Sequence, residues 1–173
     1  MQQYTVKQMI DLAKAETGLG ISLTNAKSLI NFAMDALALE YDTANVRTVE
    51  VIENAMPGVE YPIVADMGVV KVKISGSEYK PAYTVSDNNI KFDQQGSYTV
   101  TVLHSPTPVT MESDIPEIDP LYHLALLSYL KANVGVPSDQ GLMTQYAELA
   151  SSANQRLSLQ KRRGNILPAR LWR

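Results

Sequence analysis

The sequence contains no cysteine, which excludes a disulfide framework and a thiolate metal site. It also lacks any run of about 18 apolar residues, and no basic segment followed by an apolar run lies near its first residue. We therefore expect neither a membrane span nor a signal peptide. The absence of cysteine is compatible with the cytosol.

Sequence motifs of catalysis are missing as well. There is no GxSxG, HExxH, P-loop, EF-hand or CxxC pattern. Gly18-Leu19-Gly20 lacks the third glycine of a dinucleotide fingerprint and follows a predicted helix, so it is typical of a helix end. Without a base and nucleophile pair or a phosphate cradle, the sequence predicts a structural or binding protein, not an enzyme, with no cofactor.

Acidic residues are absent from the last 18 positions. Residues 156–173 contain six Lys or Arg and so carry +6, whereas residues 1–155 contain nine Lys or Arg and all 18 Asp and Glu and so carry −9. The sequence therefore predicts an acidic body with a basic C-terminal arm.

Helical patterns lie at both ends of the 173-residue chain, whose 45% hydrophobic and 19% charged residues are typical of globular proteins. Thr5 and Gln8 match a capping box and predict a first helix over about residues 6–16. Thr24 or Asn25 can cap a second helix that ends near residue 41. Asp119 and Pro120 begin a third, nearly all-apolar helix over about residues 121–134, which we expect to be central and buried. A fourth helix is predicted from Ser138-Asp139 to about residue 161.

Alternating polar and apolar residues fill the region between the second and third helices. Turn signals about every ten residues separate five to seven short strands, which is typical of a small antiparallel β-sandwich or barrel. We therefore predict an α+β protein with about four helices. Residues 1–45 and 112–161 form one helical domain, residues 46–111 form an inserted β domain, and residues 162–173 form an extended C-terminal arm.

A group of potential metal ligands precedes the third helix. Carboxylates at this density suit a divalent cation, and a hydrolase acting through a metal-bound water is one alternative function. Acids near a helix N-terminus are also favoured by the helix dipole, which is the interpretation that we prefer, so no metal is predicted. Asp119 and His123, four residues apart, can form a local ion pair or hydrogen bond, whereas His104 is predicted to be a solvated turn residue. The group comprises Asp114, Glu117, Asp119 and His123.

The C-terminal arm combines cations with apolar side chains that include the only Trp of the sequence. A segment this short cannot bury them alone, so we interpret them as anchors for a groove on a partner. The alternative is that the arm folds back on its own domain. The predicted partner-binding residues are Arg162, Arg163, Ile166, Leu167, Arg170, Leu171, Trp172 and Arg173.

The order of these elements is similar to that of a known family. A β module closed by Pro-Thr-Pro-Val-Thr at residues 106–110, followed by the acidic loop Ile-Pro-Glu-Ile-Asp-Pro-Leu-Tyr-His at residues 115–123 and by a helix containing alanine and tyrosine, resembles the head-to-tail connector (adaptor, or neck) proteins of tailed bacteriophages. The resemblance covers the order helix, helix, β insertion, helix, helix and tail, which is most of the chain.

This resemblance implies a virion protein that is made in the host cytoplasm. Copies would form a ring, typically a dodecamer, with the helices as its wall, between the portal protein and the tail proteins. The C-terminal arm would insert into the portal, and DNA would pass through the channel without specific binding. An acidic body suits such a channel because it repels phosphates.

One alternative from another functional class is a nucleic-acid-binding module. In it Trp172 would stack on a base, and six cations would contact phosphates: Arg156, Lys161, Arg162, Arg163, Arg170 and Arg173. The −9 charge of the body opposes this interpretation.

Overall fold

A computed structural model describes residues 3–65, 68–77, 80–135 and 137–164, with side chains described as far as Gln160. The chain divides into two compact units. The helical unit comprises Met1–Ala44 and Pro106–Arg173, and the β unit comprises Asn45–Ser105. Among the described residues, the protein is α+β with four α-helices and six strands.

The first two helices begin with side-chain caps. Helix α1, Val6–Thr17, has the predicted capping box, in which Thr5 and Gln8 each accept a hydrogen bond from the other's backbone N–H, and it ends at Gly18 in the left-handed conformation. Helix α2, Leu23–Glu40, is capped by Ser22, whose hydroxyl accepts from the backbone N–H of Asn25. The prediction of Thr24 or Asn25 as the cap of α2 is therefore wrong.

The predicted central helix is confirmed, and it begins with a tighter turn. Pro120–Tyr122 form a 3-10 turn capped by Asp119, whose carboxylate accepts from the backbone N–H of Leu121 at 3.0 Å. Helix α3, His123–Ala132, follows and packs against α1 and α2. Most of its side chains are buried, as expected of a central apolar helix.

Helix α4, Gln140–Gly164, packs along α3. Asp139 precedes it and accepts a 3.0 Å hydrogen bond from the backbone N–H of Leu142, which is the predicted capping interaction. The helix extends past the predicted end near residue 161. The extended arm therefore does not begin at Arg162, because residues 162–164 continue the helix.

The core of the helical unit draws on all four helices. It is dominated by aliphatic residues, with Tyr122 enclosed among them. Tyr122 contacts Thr43 through its hydroxyl at 2.5 Å, and the Thr43 hydroxyl also donates to Asn154 at 2.8 Å. The Thr43–Asn154 hydrogen bond connects the segment after α2 with α4.

The β unit consists of two antiparallel three-stranded sheets. The strands are β1 Val46–Ala55, β2 Glu60–Pro62, β3 Gly68–Ile74, β4 Tyr83–Ser86, β5 Asn89–Phe92 and β6 Gly96–His104. In the first sheet the order is β1–β6–β3, and in the second it is β2–β5–β4. A two-residue turn with positive φ at Asp87 and Asn88 joins β4 to β5, as its sequence predicts.

The two sheets share one apolar core, so the predicted sandwich is the correct alternative and the barrel is wrong. Phe92 of the second sheet stacks on Tyr98 of the first with ring centroids 3.7 Å apart, and both side chains are fully buried. Within the described residues the strands remain two separate sheets, which do not close into a barrel.

Candidate interaction surface

The predicted anchors divide into two groups. Arg162 and Arg163 lie in the last turn of α4, where the structure describes the backbone. Ile166, Leu167, Arg170, Leu171, Trp172 and Arg173 lie outside the described residues. The described part of the candidate site is therefore the C-terminal half of α4 and the surface around it.

The C-terminal half of α4 has both buried and exposed side chains among those described. Leu157 is its last buried residue among those whose side chains are described, while Arg156, Leu159 and Gln160 are exposed. The backbone stays helical to Gly164. The chain therefore enters the basic C-terminal segment from a helix end that carries an exposed cation and an exposed leucine.

A shallow groove of about 260 Å³ lies beside this half of α4. Leu124 of α3 is half exposed in it, and Arg156 contributes a cation. The apolar lining suits an aliphatic or aromatic side chain rather than a polar substrate. It is formed by Tyr4, Pro120, Leu121, Leu124, Leu149, Ser152, Ala153 and Arg156.

A second apolar surface lies on α2, which the sequence predicts only as an inward-packing amphipathic helix. Leu39 is 79% exposed and Phe32, two turns earlier, is 62% exposed. Phe32 also stacks on Tyr129 of α3, with ring centroids 6.1 Å apart. The seven-residue spacing of two large apolar side chains outside the buried stripe was the available signal for this face.

The acids before α3 are occupied by nearby backbone groups. Asp114 accepts hydrogen bonds from the N–H groups of Thr110 and Met111, at 2.7 and 2.8 Å, and these bonds hold the pKa of its carboxyl below the ordinary value. Glu117 accepts from the N–H of Thr107 at 2.9 Å. Together with Asp119, these carboxylates stabilise the loop that leads into α3.

His123 is fully buried, and its Nδ1 accepts a 3.0 Å hydrogen bond from the backbone N–H of Tyr4. Burial lowers its pKa, while the carbonyl groups of Pro116 and Ile118 favour the protonated form. The Nε2 atom is buried and has no hydrogen-bond partner among the described residues. The predicted local pair of Asp119 and His123 is present as an electrostatic interaction, in which the charge of Asp119 favours the protonated ring. The described hydrogen bonds of the two side chains are to the backbone N–H groups of Leu121 and Tyr4.

The four potential metal ligands before and within α3 do not form a metal-binding cluster: Asp114, Glu117, Asp119 and His123. Among the described residues, no group of three or more His, Asp or Glu is placed to hold a metal ion. His104, the other histidine, ends β6 and is partly exposed, with its Nδ1 3.0 Å from the carbonyl oxygen of Ser105. The described candidate surfaces, the groove beside α4 and the exposed face of α2, therefore offer mainly apolar contacts, with Arg156 as a charged residue at the groove.

Comparison with known proteins adds no further assignment. No family model matches this sequence, and no curated protein matches it significantly. In the part of the chain that the structure describes, no helix is both long and apolar enough to cross a membrane.

Proposed function

We propose that this protein is a structural component of a tailed-phage virion neck. Copies form a ring between the portal protein and the tail, and DNA passes through its channel. The segment 162–173 docks on the portal, with Ile166, Leu167, Leu171 and Trp172 as apolar anchors and the four arginines around them. The ring is a dodecamer in the virion, assembled after synthesis in the host cytoplasm.

The observation that carries this proposal is the end of α4. The backbone of α4 stays helical from Leu157, its last buried residue among the described side chains, to Gly164, and so leads directly into the predicted anchors. The exposed Arg156 and Leu159 begin the same mixture of cations and apolar groups that the following segment continues. Such a mixture suits a hydrophobic groove on an acidic partner.

Two further features support assembly into a ring. Leu39 and Phe32 expose apolar area on α2, where contact with a neighbouring subunit would bury it. The separation of −9 on residues 1–155 from +6 on residues 156–173 favours oriented contacts between unlike surfaces.

The proposal is tested with a chain that ends at Gly164, which keeps α4 complete. Mass measurement in solution compares this chain with the full one, each alone and mixed with the portal protein of the same phage. We expect the full chain to bind the portal and the shortened chain to stay folded without binding. If the shortened chain joins the portal as well as the full chain does, the segment is not the anchor.

Two matched full-length variants separate the roles of the anchors. Replacing Ile166, Leu167, Leu171 and Trp172 by Ser should abolish portal binding, because each buried apolar side chain contributes roughly 1.5–3 kcal/mol. Replacing Arg162, Arg163, Arg170 and Arg173 by Gln should slow association chiefly at low salt. Equal effects of both variants at all salt concentrations would contradict these roles.

The alternative nucleic-acid-binding function predicts a different result. A gel shift with DNA of unrelated sequence would be strong, would weaken with salt, and would depend on the same four arginines. The neck proposal expects little DNA affinity, because residues 1–155 carry −9.

A further inference from the structure

The outer face of the β1–β6–β3 sheet has different side chains at its two edges. Val49 and Val51 of β1 are 62% and 65% exposed, and Lys71 and Lys73 of β3 are exposed as well. Two cross-strand rows connect them, each with a valine on β1, a threonine on β6 and a lysine on β3: Val49–Thr101–Lys71 and Val51–Thr99–Lys73.

Both edges of this sheet are long. Among the described strands, β1 and β3 each pair only with β6, so one side of each strand keeps backbone N–H and C=O groups that no strand satisfies. Strand β1 has ten residues and β3 has seven. A long edge with exposed apolar residues is a template for pairing with another strand.

The free side of β3 opens on a groove of about 690 Å³. Lys71, Val72 and Lys73 line it on one side, and Lys80, Pro81 and Tyr83 line it on the other. The described residues that line this groove include three lysines, Lys71, Lys73 and Lys80.

We propose that β1 of a second copy pairs with β3 across this groove and extends the sheet from one subunit to the next. This inference rests on the proposed ring and identifies one contact within it. Because the two edges differ, the contact is heterologous, and repeating it gives a closed ring when the rotation between copies closes.

The side chains of β1 suit this position. The aliphatic stems of Lys71 and Lys73 can lie over Val49 and Val51 of the neighbouring copy and keep their ammonium groups in water. Glu53, which is exposed near the end of β1, supplies a carboxylate to a lysine across the contact. Glu50 is not available for this role, because it accepts a 3.1 Å hydrogen bond from the backbone N–H of Val64.

Other occupants fit less well. The segment 162–173 carries cations and no acids, so the three lysines would repel it. The phosphates of a nucleic acid could bind the lysines of the groove. Residues 45–105 as a whole, however, contain seven acidic residues against five Lys or Arg, and this negative net charge disfavours nucleic acid. Strand β1 offers both apolar and acidic side chains on an edge that can pair.

Cysteine cross-linking tests the pairing directly, since the chain has no cysteine of its own. Full-length Val51→Cys and Lys73→Cys variants, one carrying a larger tag, are mixed and oxidised at a concentration where the native chain assembles, alone or on the portal. Val51 lies opposite Lys73 when β1 and β3 pair in parallel with Val49 opposite Lys71, which brings the two Cβ atoms within reach of a disulfide. We expect a cross-linked pair that contains one copy of each variant. Thr84→Cys on exposed β4 replaces Lys73→Cys as the control and should give none.

Two cross-linking results overturn the proposal. Homodimers of each variant, formed in preference to the mixed pair, would mean symmetric edge contacts. Absence of the mixed pair from an assembled sample would mean that β1 and β3 do not meet.

A charge exchange provides an independent measurement. Lys73→Glu should weaken assembly by up to about fivefold, and mixing it with Glu53→Lys should restore assembly through the reversed pair. If Lys71→Glu with Lys73→Glu removes DNA binding and leaves assembly unchanged, the groove is a nucleic-acid site and the proposal is wrong. A Lys73→Glu chain that assembles at native strength also contradicts strand pairing. The truncation at Gly164 tests portal docking alone, so its result does not bear on this pairing.

Discussion

The backbone N–H of Tyr4 donates a hydrogen bond to Nδ1 of His123, a residue 119 positions later in the sequence. Because Nδ1 is the acceptor, the neutral ring carries its proton on Nε2. His123 thereby connects the segment before α1, the acidic loop and the start of α3. Its fully buried ring therefore has a structural role in the helical unit.

This arrangement predicts a stability loss in mild acid. The pKa of His123 lies below its ordinary value of 6.5 in the folded protein, so the unfolded chain takes up a proton first as the pH falls. The contribution is complete above pH 6.5 and declines from there toward the lower folded pKa. Urea unfolding between pH 8 and pH 5 should show a falling free energy of unfolding.

The His123→Asn variant is the matched control for this pH dependence, because it retains an acceptor near the position of Nδ1 and does not titrate. Its free energy of unfolding should change less between pH 8 and pH 5 than that of the native chain. The His123→Ala variant leaves the N–H of Tyr4 without its partner and should cost roughly 2–4 kcal/mol at pH 8. Identical pH slopes for the native chain and His123→Asn would contradict the assignment.

The alkaline limit of stability should depend on Tyr146. Burial raises the pKa of this tyrosine to about 12, with Glu40 and Tyr129 adding to the effect. Its ordinary pKa is 10.0, so the folded state disfavours the phenolate, and stability should fall as the pH rises from 10 toward 12. Ultraviolet titration should detect a late-ionising tyrosine that is absent from Tyr146→Phe. Between pH 10 and pH 12, the free energy of unfolding of Tyr146→Phe should fall less than that of the native chain.

Tyr41 is the necessary comparison in that titration. A hydrogen bond with Glu40, followed by burial, raises its pKa to about 12 as well. The pKa values of Tyr98, Tyr122 and Tyr129 are raised by burial as well, so the native chain should show more than two late-ionising tyrosines, and each single Phe variant should show one fewer than the native chain. An unchanged number of late-ionising tyrosines in Tyr146→Phe would mean that its burial does not control the titration.

Local sequence patterns account for the helices because their signals lie within a few residues. Thr5 with Gln8, and Asp119 with Pro120, satisfy backbone donors of the turns that they begin, so their roles follow from spacing alone. The cap of α2 was mispredicted because Ser22, Thr24 and Asn25 are all good caps. Packing of the helix, rather than propensity, selects among them.

The candidate site was less accessible to sequence reasoning, since its contacts join distant positions. No local pattern links Tyr4 to His123. Helical periodicity places Leu39 outside the buried stripe that contains Leu37, but it does not show what contacts the exposed side chain. Strand β2 was also not predicted, because it has three residues and includes Pro62, which is tolerated at a sheet edge. The alternation of β3 and β6 was strong enough to predict both strands.

The stacked pair at the centre of the β unit should control its stability. Phe92 and Tyr98 are fully buried, with ring centroids 3.7 Å apart. Phe92→Ala removes this contact and leaves a cavity, which should cost about 3–5 kcal/mol. Val85→Ala, on exposed β4, is the control and should stay within about 0.5 kcal/mol. Chemical unfolding followed by far-ultraviolet circular dichroism measures both values, and a loss below about 1 kcal/mol for Phe92→Ala would contradict the packing.

Leu39 provides a test of self-association that leaves the fold intact. Its side chain is 79% exposed on α2, so Leu39→Ser should change the free energy of unfolding by no more than about 0.5 kcal/mol. If α2 lies against a neighbouring subunit, the same substitution should weaken assembly, because the buried leucine would contribute roughly 1.5–3 kcal/mol to the contact. Sedimentation over a range of protein concentrations measures the association constant. Asp35→Ser, one turn before Leu39 on the same exposed face of α2, tests whether the loss is specific to an apolar side chain. Unchanged association in Leu39→Ser would place α2 outside the ring contact, since an apolar residue of this size cannot leave an interface without a measurable loss.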